Sequence, residues 1–295
     1  MLGRTYSRNE DLEFTPVSIS FDDGSSIQYQ KFYPILAELE MTATFYIVTS
    51  QIGKLGKMTW GELEHLYAEG NEIGSHTHTH AHLAALSSPE LDYELSTSKS
   101  LLDPFECRTL AYPFGEYNDE VVDCAKRYYV AARSYYDPTN VGRDVGYNQG
   151  LASERYALKV FPTERAVAPE TSALLDMPIS VFHRAIERLV GTAIEKQAWL
   201  VFVFHGTSDM SLGNILDNMR ARLGATISRG TDVRRVAKDL MHYYGGMQAK
   251  KFKWMCQYFV DNDCVRTLTI CRAIQCLGVA TEVQTELDTV TDIKW

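Results

Sequence analysis

The stretch 198-AWLVFVFH-205 contains seven consecutive apolar residues and ends in a histidine. A run of this length suits a buried strand, because a membrane span needs about 18–20 apolar residues. An uninterrupted apolar run, with both faces of the strand hydrophobic, is typical of parallel sheets that are covered on both sides. The stretch therefore predicts a central strand of an α/β fold, with His205 at its carboxyl end.

Short apolar runs alternate with helical patterns along the rest of the chain. Further strands are predicted at 17–21, 43–48, 71–76, 109–113, 130–134 and 265–270. Helices are predicted at about 31–40, 59–70, 88–102, 119–129, 178–197, 231–244 and 247–261, with a closing helix after the last strand. Repeated strand–helix units imply parallel strands joined by helical crossovers. Two architectures remain open at this point, an α/β barrel and a doubly wound sheet.

Three helix starts carry capping signals. Thr59 is followed three residues later by Glu62, the pattern of a capping box. Ser88 stands before Pro89, which predicts a cap followed by the first helical position, and Asn118 stands before another helix. No sequence repeat, low-complexity tract or linker divides the chain, so we expect one domain.

Charge and targeting signals narrow the classes of function. The 295 residues carry a net charge of -9 with a pI near 5.4, which argues against binding nucleic acid through its phosphates. A neutral sugar, another small molecule or a cationic substrate fits better. The N-terminus lacks the apolar core of a secretory signal, and no segment is long enough for a membrane span. We therefore expect a cytoplasmic location; the sequence does not define the oligomeric state.

Polar groups follow several of the predicted strands. In a parallel barrel the functional residues lie at the carboxyl ends of the strands. The groups at these positions are Asp22 and Asp23, a run of histidines after residue 75, the turn 113-PFG-115, and His205. Taken alone, 19-ISFDDG-24 also suits a plain turn, since Asp and Gly favour turns. A histidine at the end of a buried strand is often a core residue, but one beside a polar loop suits proton transfer near neutral pH.

The segment 74-GSHTHTHAHL-83 holds four of the eight histidines at alternate positions. On a strand all four would share one face, whereas on a helical turn His76 would pair with His80, and His78 with His82. One carboxylate and two imidazoles, with a fourth position open, form a common catalytic Zn²⁺ site. The segment therefore indicates a metal site, with a polar loop of no special function as the alternative.

The order of these motifs resembles that of the polysaccharide deacetylase family, carbohydrate esterase family 4. FDDG at 21–24 resembles the first motif of the family, and GNEIGSHTHTHAHL at 70–83 its second. LAYPFG at 110–115 is similar to the third motif and VFVFH at 201–205 to the fifth. The resemblance implies a distorted or incomplete seven-stranded (β/α) barrel, and one catalytic domain over 1–295 with its core at about 15–275.

The resemblance also implies a role for individual residues. The metal ligands would be Asp23, His76 and His80, and the metal would usually be zinc, with cobalt, nickel, manganese or iron as alternatives. Asp22 would be the general base and His205 the general acid. The backbone N–H of Phe114 would donate to the oxyanion, and Val203 would line the pocket for the acetyl methyl group. On this interpretation His78 and His82 would not bind the metal.

Two departures from the family pattern affect the catalytic groups: the first concerns the base, and the second, in the fourth motif, concerns the acid histidine. The third motif usually carries an arginine, paired with the base, where this chain has Ala111. An unpaired buried carboxylate is expected to have a raised pKa. Arg133, at the end of the next predicted strand, is a possible substitute, although an exposed arginine is more usual there. The fourth motif is not recognisable, and Asp137 is a candidate for it by position only.

The expected activity is metal-dependent hydrolysis of an N-acetyl group on an N-acetylglucosamine-containing poly- or oligosaccharide. The expected partner is that saccharide, with no nucleic acid and no membrane span. A related amidohydrolase acting on a cyclic ureide or imide is the second hypothesis. A catalytically silent barrel that binds saccharide is the third. The family's usual exported substrates also favour an extracellular location, against the cytoplasmic one that the N-terminus suggests.

Overall fold

The computed structural model describes residues 13–54, 56–134, 146–149, 155–162, 178–206 and 247–277. The strands are β1 Thr15–Phe21, β2 Thr44–Ile47, β3 Glu72–Ser75, β4 Thr109–Ala111, β5 Ala131–Arg133, β6 Tyr147–Asn148, β7 Phe161–Pro162, β8 Trp199–Phe204 and β9 Val265–Thr267. The α-helices are α1 Tyr33–Glu38, α2 Trp60–Ala68, α3 Ser88–Leu101, α4 Asp119–Ala125, α5 Ile179–Glu195, α6 Ala249–Val260 and α7 Ile270–Cys276. Within these ranges no helix is long and apolar enough to cross a membrane.

The strands form a distorted parallel barrel. Pairing runs in the order β5-β4-β3-β2-β1-β8, and every pair along it is parallel. The segment 158–162 returns the pairing to its start, because Leu158 bridges to Arg133 of β5 and β7 pairs with β8. The short strand β6 pairs with β8, and β9 pairs with β1. Both pairings lie at the amino-terminal end of the longer strand. This confirms the α/β barrel and excludes the doubly wound sheet.

The predicted central strand β8 is buried along its whole length. Its alternate residues Leu200, Phe202 and Phe204 pack in the large core that also contains side chains from α1 to α6. Trp199, Val201 and Val203 belong to a smaller cluster on the other face, and among the described helices only α7 contributes to it. The smaller cluster therefore lies inside the barrel, and α7 covers one end of it.

The helix caps follow the sequence with one shift. Thr59 and Glu62 form the predicted capping box of α2, and the Asn118 side chain accepts from the Val121 N–H at the start of α4. The cap of α3 was predicted one residue too late, because Ser87 forms a capping box with Glu90 and Ser88 is already helical. Similarly, β9 is shorter than predicted, since Ile270 begins α7 instead of ending a strand.

Candidate active site

The ends of β1 and β8 are held together at the mouth of the barrel. The Asp22 N–H donates to the carbonyl of Phe204 at 2.9 Å. The fully buried Gln28 side chain donates to the carbonyls of Asp22 and His205, at 2.5 and 2.8 Å. Gln28 thereby fixes the predicted base and acid relative to each other. Sequence patterns do not reveal this role, because a single glutamine carries no spacing pattern.

The chain turns away from β1 at Asp23 and Gly24. The φ of Asp23, 71°, and that of Gly24, 60°, are both in the left-handed region, which favours Gly and Asp. Lys57 fixes this turn by donating to the Asp23 carbonyl at 2.8 Å. The turn leaves the Asp22 side chain 3% exposed and the Asp23 side chain 34% exposed. FDDG is therefore both a turn and a means of aiming two adjacent carboxylates in different directions.

The histidine segment is neither a strand nor a helical turn. Thr77 and His80 have φ values of 65° and 66°, so the chain doubles back between them. Glu94 of α3, nearly buried, accepts from the N–H groups of His78 and Thr79 at 3.0 and 2.8 Å and from the Thr79 hydroxyl at 2.6 Å. This turn, held by Glu94 of α3, brings His76 and His80 to the same site. The periodicity of a strand or a helix did not predict this conformation.

Asp23, His76 and His80 come together at the barrel mouth, with one ligand atom from each lying within 4.8 Å of the others. The Asp23 Oδ1 atom is 3.8 Å from His76 Nε2 and 3.5 Å from His80 Nε2. These separations are long for hydrogen bonds. They approach the spacing of about 3.3–3.5 Å between ligand atoms that bonds of about 2.0–2.1 Å produce at tetrahedral angles. The donor set and its spacing therefore fit a divalent metal such as zinc.

A carbonyl on the neighbouring strand fixes the orientation of His76. Its Nδ1 lies 2.8 Å from the backbone oxygen of Ala111. Because a carbonyl oxygen only accepts, Nδ1 must carry the proton, which leaves the lone pair of Nε2 directed at Asp23. A hydrogen bond from the second ring nitrogen to a carbonyl is a common support for a metal-binding histidine.

The electrostatics of the cluster suit metal binding. Burial lowers the pKa of His76 to about 3 and is also the main cause that lowers the pKa of His80. Both imidazoles are thus neutral, the form that binds a metal, over a wide pH range. Burial alone would raise the pKa of Asp23, but three surrounding histidines and Lys57 lower it to about 2. Asp23 is therefore an anionic donor beside two neutral ones.

Arg133 supplies the countercharge that the third motif lacks. Its guanidinium pairs with the Asp22 carboxylate, and the Arg133 side chain is fully buried. Arg133 is the register partner of Ala111 on the adjacent strand, so it lies at the same level of the barrel as the position at which the third motif is expected to carry an arginine, one strand away. The exposed position considered from the sequence is wrong, because the side chain points into the barrel, where burial requires a partner.

His205 lies beside the predicted base at the opening. Its Nε2 is 3.7 Å from the Asp22 Oδ2 atom, and its side chain is 30% exposed. The alternative considered from the sequence, a fully buried core histidine, does not fit this exposure. A half-buried imidazole next to a carboxylate is placed to exchange protons with a bound molecule.

The other two histidines of the segment, His78 and His82, have hydrogen-bond partners outside the three-residue cluster. His78 Nδ1 contacts the Thr49 hydroxyl at 2.9 Å, and His82 Nδ1 contacts the Glu116 carboxylate at 2.8 Å. The His82 ring stacks on the ring of Phe114 with centroids 3.9 Å apart, and Phe114 also contacts the edge-on ring of His80 at 4.6 Å. His82 thus touches the site through Phe114.

The remaining candidates divide between rim and interior. Phe114 has a left-handed φ of 59° and a side chain 49% exposed. Tyr117 is also exposed and stacks on the buried Tyr112, whose hydroxyl donates to a backbone carbonyl. Val203 lies inside the barrel, fully buried. Asp137, the candidate for the fourth motif, lies outside the described residues.

Comparison with known sequences gives a consistent family match. The family described as polysaccharide deacetylase matches residues 9–132, a span that contains both aspartates, the histidine segment 76–82 and Phe114, ends one residue before Arg133 and does not include His205. YxkH of Bacillus subtilis (strain 168), named as a polysaccharide deacetylase, is 31% identical over 133 residues, which are 44% of this chain and 48% of YxkH. A Staphylococcus aureus poly-beta-1,6-N-acetyl-D-glucosamine N-deacetylase is 30% identical over 128 residues, 38% of this chain and 44% of the relative. The chain thus spans about half the length of these relatives.

A solved structure extends the match to the whole fold. A variant of the peptidoglycan deacetylase PdaC from Bacillus subtilis aligns over 94% of this chain and 97% of its own, with a TM-score of 0.50 and 12% identity. At that identity the likeness concerns the fold alone, and it agrees with the distorted barrel described above. The sequence match over residues 9–132 and the shared fold together show that the chain is similar to polysaccharide deacetylases.

Proposed function

We propose that this protein is a metal-dependent deacetylase that hydrolyses the N-acetyl group of N-acetylglucosamine-containing poly- or oligosaccharides. The observation that carries the proposal is the geometry at the barrel mouth. A carboxylate and two neutral imidazoles converge on one point, and a second carboxylate, Asp22, lies 3.9 Å from the ligand atom of His76. One carboxylate thus serves the metal while its neighbour is available for proton transfer.

In the proposed site Asp23, His76 and His80 hold the metal. When bound, a divalent metal acts as a Lewis acid, which polarises the amide carbonyl and acidifies water. Asp22 accepts the proton of the attacking water, and its pairing with Arg133 supports the carboxylate form in a buried position.

His205 delivers a proton to the departing amine, which is a poor leaving group without one. Its half-exposed ring beside Asp22 places a proton donor and a proton acceptor at the same opening. The backbone N–H of Phe114 is proposed to donate to the oxyanion that forms at the carbonyl. The rings of Phe114 and Tyr117, exposed on the rim, are suitable for packing against a sugar.

The substrate class rests on the relatives. One is named for the poly-beta-1,6-N-acetyl-D-glucosamine that it deacetylates, and the structural neighbour is a peptidoglycan deacetylase. Both names refer to N-acetylated amino sugars in polymers. An acidic protein with a pI near 5.4 is compatible with a neutral saccharide and with a product that gains a positive charge on deacetylation.

Acetate release from N-acetylchitooligosaccharides and from poly-N-acetylglucosamine tests the proposal. We expect release by the purified protein, its loss on chelation, and its return on addition of Zn²⁺ or Co²⁺. His80→Ala should lose both metal and activity. The matched control His78→Gln, a histidine two residues away that faces Thr49, should retain both.

Three other outcomes would contradict the proposal or its ligand assignment. Hydrolysis of a cyclic ureide or imide, with no acetate from any saccharide, would identify a small-amide hydrolase instead. Saccharide binding without turnover in the metal-loaded protein would identify a silent barrel. A His80→Ala variant that keeps a full equivalent of metal would overturn the ligand assignment.

A further inference from the structure

The buried pair of Arg133 and Asp22 rests on an aromatic ring inside the barrel. The guanidinium carbon of Arg133 lies over the ring of Tyr46, 4.6 Å from its centroid. Both side chains are fully buried. Cation–π contacts of desolvated groups are stronger than exposed ones and reach about 2 kcal/mol, so this contact is a substantial constraint on where the guanidinium lies.

The position of the Tyr46 ring depends in turn on a glycine. Gly74 is the register partner of Tyr46 on β3. A Cβ atom on Gly74 would lie 2.5 and 2.6 Å from two ring carbons of Tyr46 and 3.1 Å from the Thr109 hydroxyl oxygen. Even alanine at this position would therefore displace the ring. The observed position of the Tyr46 ring, under the guanidinium of Arg133, thus requires glycine at residue 74.

We propose that Tyr46 is a positioning residue, which holds Arg133 against Asp22 through its ring, and that Gly74 provides the space that this requires. The inference rests on the proposed function, since it concerns the base of that reaction. It also accounts for the displaced arginine. An arginine reaching from β5 instead of β4 must cross the interior to reach β1, and the Tyr46 ring supports it on the way.

The proposal separates the ring of Tyr46 from its hydroxyl group. Tyr46→Phe keeps the aromatic face and should retain kcat within about threefold. Tyr46→Leu removes the face and should lower kcat by about 10- to 100-fold, since a misplacement of about 1 Å at a reacting group can cost about 100-fold. KM and the affinity for Zn²⁺ should stay unchanged, because the ligands and the rim are not touched. Gly74→Ala should lower kcat in the same manner.

The test combines kinetics with crystal structures of Tyr46→Phe and Tyr46→Leu, and thermal unfolding identifies any variant that fails to fold. We expect the Arg133–Asp22 contact in Tyr46→Phe and its loss or displacement in Tyr46→Leu. Wild-type kcat in Tyr46→Leu, or an intact Arg133–Asp22 pair in its structure, would overturn the proposal. So would an equal loss of kcat in both variants, which would assign the effect to the hydroxyl.

The two readouts distinguish this proposal from the proposed function. If the wild-type protein releases no acetate from any saccharide, the deacetylase assignment fails, and the crystal structures still decide whether Tyr46 positions Arg133. If the wild-type protein is active and the Tyr46→Leu structure keeps the pair, only the positioning proposal fails. Should Tyr46→Leu not fold, Gly74→Ala, which should displace the Tyr46 ring, takes its place in the kinetic and crystallographic measurements.

Discussion

Carboxylates lie at both ends of the barrel, and they experience opposite electrostatic environments. At the mouth, histidines and Lys57 surround Asp23 and lower its pKa to about 2. At the other end, burial raises the pKa of Glu72. Glu72 accepts from the Thr44 and Thr109 hydroxyls and from the N–H of Cys271 in α7, but these donors are all neutral.

The difference shows how one fold assigns different roles to similar groups. Glu72 is enclosed by hydrogen bonds that join β2, β4 and the start of α7, so it closes the barrel. Asp22 and Asp23 have charged or imidazole neighbours and lie at an opening. Neighbouring charge, more than burial, thus distinguishes the carboxylates suited to chemistry from the one suited to structure.

The largest expected difference between substitutions at the two ends of the barrel is in activity. Asp22→Asn should reduce acetate release by about 10²- to 10⁴-fold, the usual contribution of a general base. It should leave metal binding intact, because Asp22 is not among the proposed ligands. Glu72→Gln at the other end should change kcat by less than about threefold. Steady-state kinetics with an N-acetylchitooligosaccharide measures both, and equal losses in the two variants would remove the distinction between the ends.

The second contrast concerns stability at the mouth. Arg133→Met leaves the Asp22 carboxylate buried without its countercharge, which should lower the free energy of unfolding by about 3–5 kcal/mol. The double variant Asp22→Asn/Arg133→Met removes both charges and should regain much of this loss. Urea denaturation of the metal-free proteins measures the effect. A double variant as unstable as Arg133→Met alone would show that the pair is not the cause.

Acid should destabilise the barrel mouth through His76. The folded pKa of His76, about 3, lies below its ordinary value of 6.5, so the unfolded chain binds more protons between these values. Stability of the metal-free protein should therefore fall as pH drops below 6.5, by at most about 1.4 kcal/mol per pH unit from this group. Asp23 adds to the loss only below its ordinary value of 3.8.

Unfolding midpoints in the presence of a chelator, from pH 7 to pH 5, check this dependence. His76→Gln should flatten the slope, whereas His78→Gln leaves the cluster intact and should retain it. An unchanged slope in His76→Gln would contradict the assignment to His76.

The smallest effect is expected at the closed end, with the opposite sign. Because the folded pKa of Glu72 is raised above its ordinary value of 4.5, its contribution is complete below that value and is lost as pH rises through the folded pKa. Glu72→Gln should therefore gain stability relative to wild type as the pH rises from 5 to 8. Chemical denaturation at both pH values measures the gain, with the exposed Glu64→Gln as control. A constant difference across this range would contradict the raised pKa.

Much of this site follows from the sequence because its residues stand at strand ends. The apolar run of β8 located His205, and the carboxyl end of β1 located the aspartates. The identity of the residues that support them required the fold. Arg133 lies 111 residues from Asp22 along the chain, and Ala111 gives no indication of which strand supplies the missing charge.

The histidine segment shows a different limit. Its alternate spacing allowed a strand or a helical turn. The chain adopts neither, because Glu94 of helix α3 binds the backbone N–H groups of His78 and Thr79. Glu94 meets backbone groups 15 and 16 residues away, and Gln28 meets the carbonyl of His205, 177 residues away. Such contacts have no local periodicity, so sequence patterns do not reveal them.

Titration of the metal-free protein with Zn²⁺, with heat of binding and acetate release recorded on the same samples, tests the central claim most directly. We predict one high-affinity site per chain and acetate release that rises in proportion to its occupancy. The Asp23→Ala variant should show neither. Full acetate release from the chelated protein, or a saturated zinc site in Asp23→Ala, would contradict the account.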